Sequence, residues 1–132
     1  MAYWLMKSEP EAYSWDDLVR DGGTEWDGVR NNAARLHLRA MKAGDEALLY
    51  HSMSDKAVVG IMRVAGPPHP DAEDEAWVAV PVTPVRKLAR PVTLAAIKAE
   101  PRLRDMELIR QSRLSVAPVR PDEWKLVLEM GA

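Results

Sequence analysis

The sequence predicts an α+β fold with a partly closed β barrel. Three observations carry the prediction. The β-rich segments EALLYHS at 46–52, AVVGIMRVA at 57–65 and EAWVAVPVTPVRKL at 75–88 follow one another with short connections, which makes a meander. Short helical patterns punctuate the strands, and no βαβ series appears.

Taken in order, AYWLMKS at 2–8 reads as a strand closed by Glu9-Pro10, because proline lacks the ladder donor. Ser14 followed by Trp15-Asp16-Asp17 has the form of an N-cap with early acidic residues, and Gly22-Gly23 stops that short helix. Asn31 or Asn32 caps a second helix predicted to run to about Lys42, with Gly44 beyond it. Ala34, Leu38 and Met41 recur at helical spacing and face the core, leaving Arg35, Arg39 and Lys42 as a parallel, partly exposed basic stripe. AGPPHPDAEDE at 65–75 reads as a surface loop between strands. Pro81 and Pro84 imply an edge position or a bulge in the strand that follows. Thr93 caps a helix TLAAIKAE ended by Pro101, MELIRQ forms another turn or two, and RLSVAPV at 113–119 is a short strand. Pro121 opens a last helix with Trp124, Val127 and Leu128 on one side.

At 132 residues, 47% apolar and 29% charged, the chain has ordinary globular composition and is expected to form one domain over 1–132. There is no cysteine, which excludes disulfides, thiolate metal sites and Cys nucleophiles together. The N-terminus has no basic region with a cleavage site, and no stretch approaches a membrane span. A soluble, cytoplasmic, monomeric protein is the expectation. The net charge of −2 conceals two basic blocks: residues 28–44 hold four basic side chains and no acidic one, and 86–113 hold eight against three. One face can therefore bind an anion while the whole stays mildly acidic.

Enzyme signatures are missing: there is no GxGxxG, P-loop, HExxH or GxSxG. His37, His51 and His69 show no ligand spacing, so neither a metal nor a cofactor is expected. His51 and Ser52 imitate a base and nucleophile, yet adjacent strand residues point to opposite faces. What remains is a set of polar and aromatic residues at element ends: Lys7, Ser8 and Glu9; Trp26 to Asn31; Tyr50 to Ser52; and Gln111 to Ser115. Each has a bland explanation as cap, filler or surface pair, but their joint occurrence is poorly explained that way. Five Trp, three Tyr and no Phe supply flat surfaces suited to stacking.

The segments YWLMKSEP, YSWDDL, WDGVRNNAAR, LRAMKAGDEALLYHS, VVGIMRV, RPVTLAAIKAEP, MELIRQSRLSVAPV and PDEW, in that order over nearly the whole chain, resemble the EVE domain of the PUA-like superfamily. Asn32-Ala33 and Leu49-Tyr50-His51-Ser52 depart slightly from the common pattern. The resemblance implies a PUA-like mixed β pseudo-barrel of about six strands flanked by short helices, with a pocket for a modified nucleobase. The related YTH domain also has a Lys-Ser pair after its first strand and a tryptophan wall, which fall here on Lys7, Ser8 and Trp26. Asn31, Arg35, His51, Ser52, Arg113, Leu114 and Ser115 belong to the EVE motifs themselves. The expected pocket is therefore Lys7, Ser8, Trp26, Asn31, His51, Ser52, Arg113, Leu114 and Ser115. Phosphates are expected at Arg30, Arg35, Arg39, Lys42, Arg90 and Arg110.

The implied function is a non-enzymatic reader of a modified base, foremost a modified cytosine, in DNA or RNA. An extruded base costs a few kcal/mol and an aromatic face returns about 1 to 3 kcal/mol by stacking. Two rivals stand beside it. One is a small ASCH-type hydrolase or nuclease using His51, Glu9 or Asp27 with Lys7 as electrophile. The other is an adaptor whose pocket holds a small metabolite.

Overall fold

The computed structural model describes residues 1–132, and each strand's side-chain alternation shows how the sheet is buried. In β1 (Tyr3–Ser8), Trp4 and Met6 enter one apolar cluster while Leu5 enters another, as the two-residue strand period requires. β3 (Glu46–His51) and β4 (Ala57–Val64) are almost wholly buried, so both faces of the sheet are covered. The first cluster takes in Trp15 and Leu18 of α1 (Trp15–Asp21) and Ala34 and Leu38 of α2 (Asn32–Ala40). The second takes in Ile97 of α3 (Leu94–Ala99), Leu108 of α4 (Glu107–Arg110), and Trp124 and Val127 of α5 (Pro121–Met130). Tyr3 stacks on Trp124, ring centroids 4.4 Å apart, which fixes α5 against β1.

The sheet runs β2 (Thr24–Trp26), β6 (Val78–Thr93), β4, β3, β1, β7 (Val116–Val119), with β5 (His69–Pro70) beside β6. It curls into a half-barrel whose edges are β2 and β7. The meander expected of 46–88 is β3, β4 and β6, all antiparallel. β1 adds to β3 in parallel, Ser8 in register with His51, and β7 joins β1 antiparallel. α2 packs against both β7 and β6 and so covers the opening between the two sides of the curl.

The helix signals are realised as caps. Ser14 Oγ accepts from Asp17 N while Asp17 Oδ2 accepts from Ser14 N, a reciprocal capping box, and Gly22 closes α1 in left-handed backbone at φ 72°. Asn31 caps α2 and Thr93 caps α3. α2 ends at Ala40 rather than Lys42 because Met41 is already extended and the Lys42 amide donates to Asp45 Oδ2 at 3.0 Å. The same buried carboxylate accepts from Ala2 N and Trp4 Nε1. Burial raises the Asp45 pKa, but these three donors outweigh it and leave the carboxyl below its usual range.

Other departures have physical causes. β2 is hidden in the sequence because three residues give no periodicity, and it exists through pairing with Val80–Val82. β5, within the expected loop, pairs only with Val78 and Ala79. β6 continues five residues past the predicted Leu88 because Val92 and Thr93 pair with Val58 and Ala57 beyond a register shift. Pro91 falls at that irregularity, Pro84 at a second register shift opposite Ile61 and Met62, and Pro81 pairs with the three-residue edge strand. β7 starts at Val116, since Leu114 N–H closes a turn onto Gln111 O.

Candidate functional site

At the end of the sheet where β1 finishes, a cavity of about 480 Å³ opens between β1, the chain after it, β2 and the start of β7. Its lining is Lys7, Ser8, Ala12, Tyr13, Thr24, Glu25, Trp26, Asp27, Gly28, Val29, Arg30 and Ser115. Trp26 and Val29 give it buried apolar wall. Ser8 follows Trp4 and Met6 on the same strand face, and its hydroxyl donates to Tyr13 O at 2.7 Å. With its proton so committed, Ser8 Oγ offers a ligand only lone pairs. Lys7 turns the other way: Nζ donates to Ser112 O at 2.8 Å and lies 5.8 Å from the Tyr50 ring centroid. Burial holds this ammonium below the usual lysine range. Lys7 N donates to Ser115 O, which brings Ser115 to the wall.

One carboxylate anchors the opposite wall. Asp71, its side chain 1% exposed, accepts from Gly28 N at 3.0 Å and Arg30 Nη1 at 3.1 Å through Oδ2, and from Glu73 N at 2.9 Å through Oδ1. The Gly28 and Glu73 amides, with the Arg30 guanidinium, hold its pKa down to about 2. Gly28 itself has φ 72°, a conformation that suits glycine at the bend after Trp26. Arg30 and Arg35 both lie over the Trp77 ring, at 5.5 and 4.8 Å from its centroid. The 65–77 loop is thus a brace for the segment that carries Trp26. His69 Nε2 reinforces it by binding Glu25 Oε2 at 2.8 Å.

Of the residues expected at the pocket, the structure brings Lys7, Ser8, Trp26 and Ser115 together, and Arg30 joins them. The others stand outside this cavity. Asn31 spends Oδ1 on Ala34 N, and lines a shallower groove with Arg110, Arg113 and Leu114. Leu114 is buried in the first cluster, and Arg113 is exposed. Ser52 N–H donates to Ser8 O at 2.9 Å, supporting the cavity's backbone without lining it. Among the expected phosphate ligands, Arg35 Nη1 donates to Ala76 O and Arg90 Nε to Ala132 O, whereas Arg39 and Lys42 are exposed. Sequence reasoning missed Tyr13, Thr24, Glu25 and the Asp71 brace, since nothing local to 65–77 marks a return to residue 28.

His51 faces a second cavity, of about 540 Å³, with Trp15, Asp55 and Lys87. Nε2 accepts from Trp15 N at 3.1 Å, and since an amide can only donate, the proton must sit on Nδ1, which binds Asp55 Oδ2 at 2.8 Å. Both ring nitrogens of the neutral imidazole are engaged. Of the groups named for a hydrolase, Lys7 and Asp27 line the first cavity, His51 lines the second and Glu9 lines neither, so His51 and Glu9 do not share a cavity with Lys7, whereas Asp27 does. No three His, Asp or Glu groups converge as a metal site.

The EVE domain profile matches residues 2–130. The chain belongs to the EVE domain family. Human thymocyte nuclear protein 1 is 33% identical, over 98% of this chain and 73% of its own length. A crystal structure of that human protein in complex with DNA containing 5-methylcytosine superposes with a TM-score of 0.93, at 32% identity over 99% of this chain and 98% of that one. The NMR structure of a Rhodopseudomonas palustris protein is similar at 51% identity, TM-score 0.95, covering 99% of this chain and 93% of that chain. An ASCH protein from Zymomonas mobilis shares the fold at 10% identity and a TM-score of 0.63, covering 100% of both chains. The EVE fold here is therefore the half-barrel, and no helix is long and apolar enough to cross a membrane.

Proposed function

We propose that this EVE domain binds a modified cytosine, 5-methylcytosine in DNA foremost, in the Trp26 cavity and performs no chemistry on it. The observation that carries the reading is the make-up of that one cavity: an indole wall, a serine oxygen free only to accept, and nearby carboxylates. Its 480 Å³ lies in the size range of small-ligand sites. Cytosine presents an exocyclic amino donor, which suits Ser8 Oγ and the exposed Asp27. The 5-methyl group gains about 0.8 kcal/mol against an apolar wall, roughly a four-fold preference. The human relative's complex with 5-methylcytosine DNA supports the ligand class. The engagement of both His51 nitrogens weighs against hydrolysis.

Isothermal titration of matched duplexes, with and without one 5-methylcytosine, tests the reading. The parent protein is expected to prefer the methylated duplex, and Trp26→Ala to lose about 1 to 3 kcal/mol of binding. Because Trp26 is a core residue as well, Ala12→Trp serves as the control. Ala12 is an exposed lining residue, so a bulky ring there obstructs the cavity without a cost in the core. Equal affinity of parent and A12W for methylated DNA would refute the cavity as the base site.

A further inference from the structure

The turn joining β3 to β4 is strained. Met53 (φ 67°) and Lys56 (φ 47°) both occupy left-handed backbone, where a Cβ crowds the following carbonyl and glycine is the usual occupant. Three contacts hold the turn in place: Ser52 N–H to Ser8 O at 2.9 Å, Leu94 N–H to Lys56 O at 2.8 Å, and Asp55 to His51 at 2.8 Å. At its tip Met53 is 62% exposed, more than any other large apolar side chain except the terminal Met1. Strain of this kind persists where the surroundings enforce it, and it gathers at functional positions.

The position of the turn gives Met53 a use. β3, β1 and β7 are neighbours, Ser8 is in register with His51, and Lys7 N–H reaches Ser115 O. At this end of the sheet the order is therefore the 52–56 turn, then Ser8, then Ser115 with Arg113 two residues before it. Adjacent strands are about 4.8 Å apart. The cavity wall is thus flanked by an unpaired apolar side chain on one side and an exposed arginine, with no carboxylate partner, on the other.

We propose that Met53 is an intercalating wedge, which enters the base stack of duplex DNA and fills the space left by a cytosine extruded into the cavity. The role rests on that cavity accepting a base. Unbranched apolar side chains serve this purpose because they replace stacking contacts without needing a hydrogen-bond partner, and they reduce the cost of opening a base step. A rigid turn suits the task, since the wedge must not fold back when the duplex resists. Lys56, exposed and without a carboxylate partner, stands three residues away to meet a phosphate.

Met53→Gly is the test, with the full chain titrated against a 5-methylcytosine duplex and the same strand unpaired. Glycine relieves the left-handed backbone, so thermal stability is expected to hold or rise, while affinity for the duplex falls on the order of ten-fold. Affinity for the single strand, where nothing has to be extruded, is expected to stay unchanged. A 2-aminopurine beside the modified base should brighten with the parent and stay quenched with M53G. Equal duplex affinity of parent and M53G overturns the wedge while leaving the base site standing. If the parent ignores methylation in duplex and single strand alike, the base site fails and takes the wedge with it.

Discussion

Asp71 shows how much one residue can organise. It lies in a loop with no sequence signal of function, yet its two oxygens hold Gly28, Glu73 and Arg30 and so set the backbone that presents Trp26. Asp71→Asn keeps the volume and removes the charge on which Arg30 depends. It is expected to lower the melting temperature by several degrees at neutral pH and to weaken methylated-duplex binding. The pH dependence has a definite sign. The folded pKa of Asp71 is depressed to about 2 from 3.8, so its stabilisation is complete above the ordinary carboxylate value and is lost as pH falls toward 2. Melting curves of parent and D71N should differ at pH 6 and converge between about pH 4 and pH 2; a constant gap across that range would contradict the charge-based brace.

At the scale of elements, α1 is seated by the meeting of a ring and a bare backbone. A Cβ added at Gly60 of β4 would lie 2.5 Å from Trp15 Cε3 and Cζ3, and Trp15 is only 5% exposed, with Leu18 beside it in the same cluster. Since no atom of a packed indole can yield a full ångström in place, Gly60→Ala must push α1 outward. Overpacking of this type costs about 1 to 3 kcal/mol. Urea denaturation should find that loss, and His51, whose Nε2 meets Trp15 N, should report the displacement in its imidazole NMR shifts. Unchanged shifts and stability would show that the α1 seat is loose. α1, α2 and α3 are legible locally because they carry their caps in Ser14, Asn31 and Thr93, whereas β2 and β5 exist only through β6.

For the whole molecule, the two basic blocks do not form one surface with one role. Arg30 and Arg35 are turned to Asp71, Ala76 and Trp77, and Arg90 is tied to Ala132, whereas Arg39 and Lys42 of the first block and Arg113 of the second are exposed without a carboxylate partner. Binding should weaken with salt along a straight log–log line. Arg113→Ala is expected to reduce that slope by about one and to weaken methylated and unmethylated duplexes alike, whereas Arg90→Ala leaves it unaltered. Salt titrations in which the two variants behave identically would remove the assignment. The linear chain specifies what short-range chemistry can encode: the meander, the capped helices, the family motifs, and the presence of Lys7, Ser8, Trp26 and Ser115 at element ends. Which of those ends share a cavity depends on the β1–β3 and β1–β7 registers and on the return of Asp71 to Gly28, 43 residues away. Such pairings are decided by packing and by the satisfaction of buried polar groups, and neither leaves a local pattern. That is why Asn31, His51 and Leu114, plausible beside the others in sequence, serve in the fold as a cap, an acceptor for α1 and a core residue.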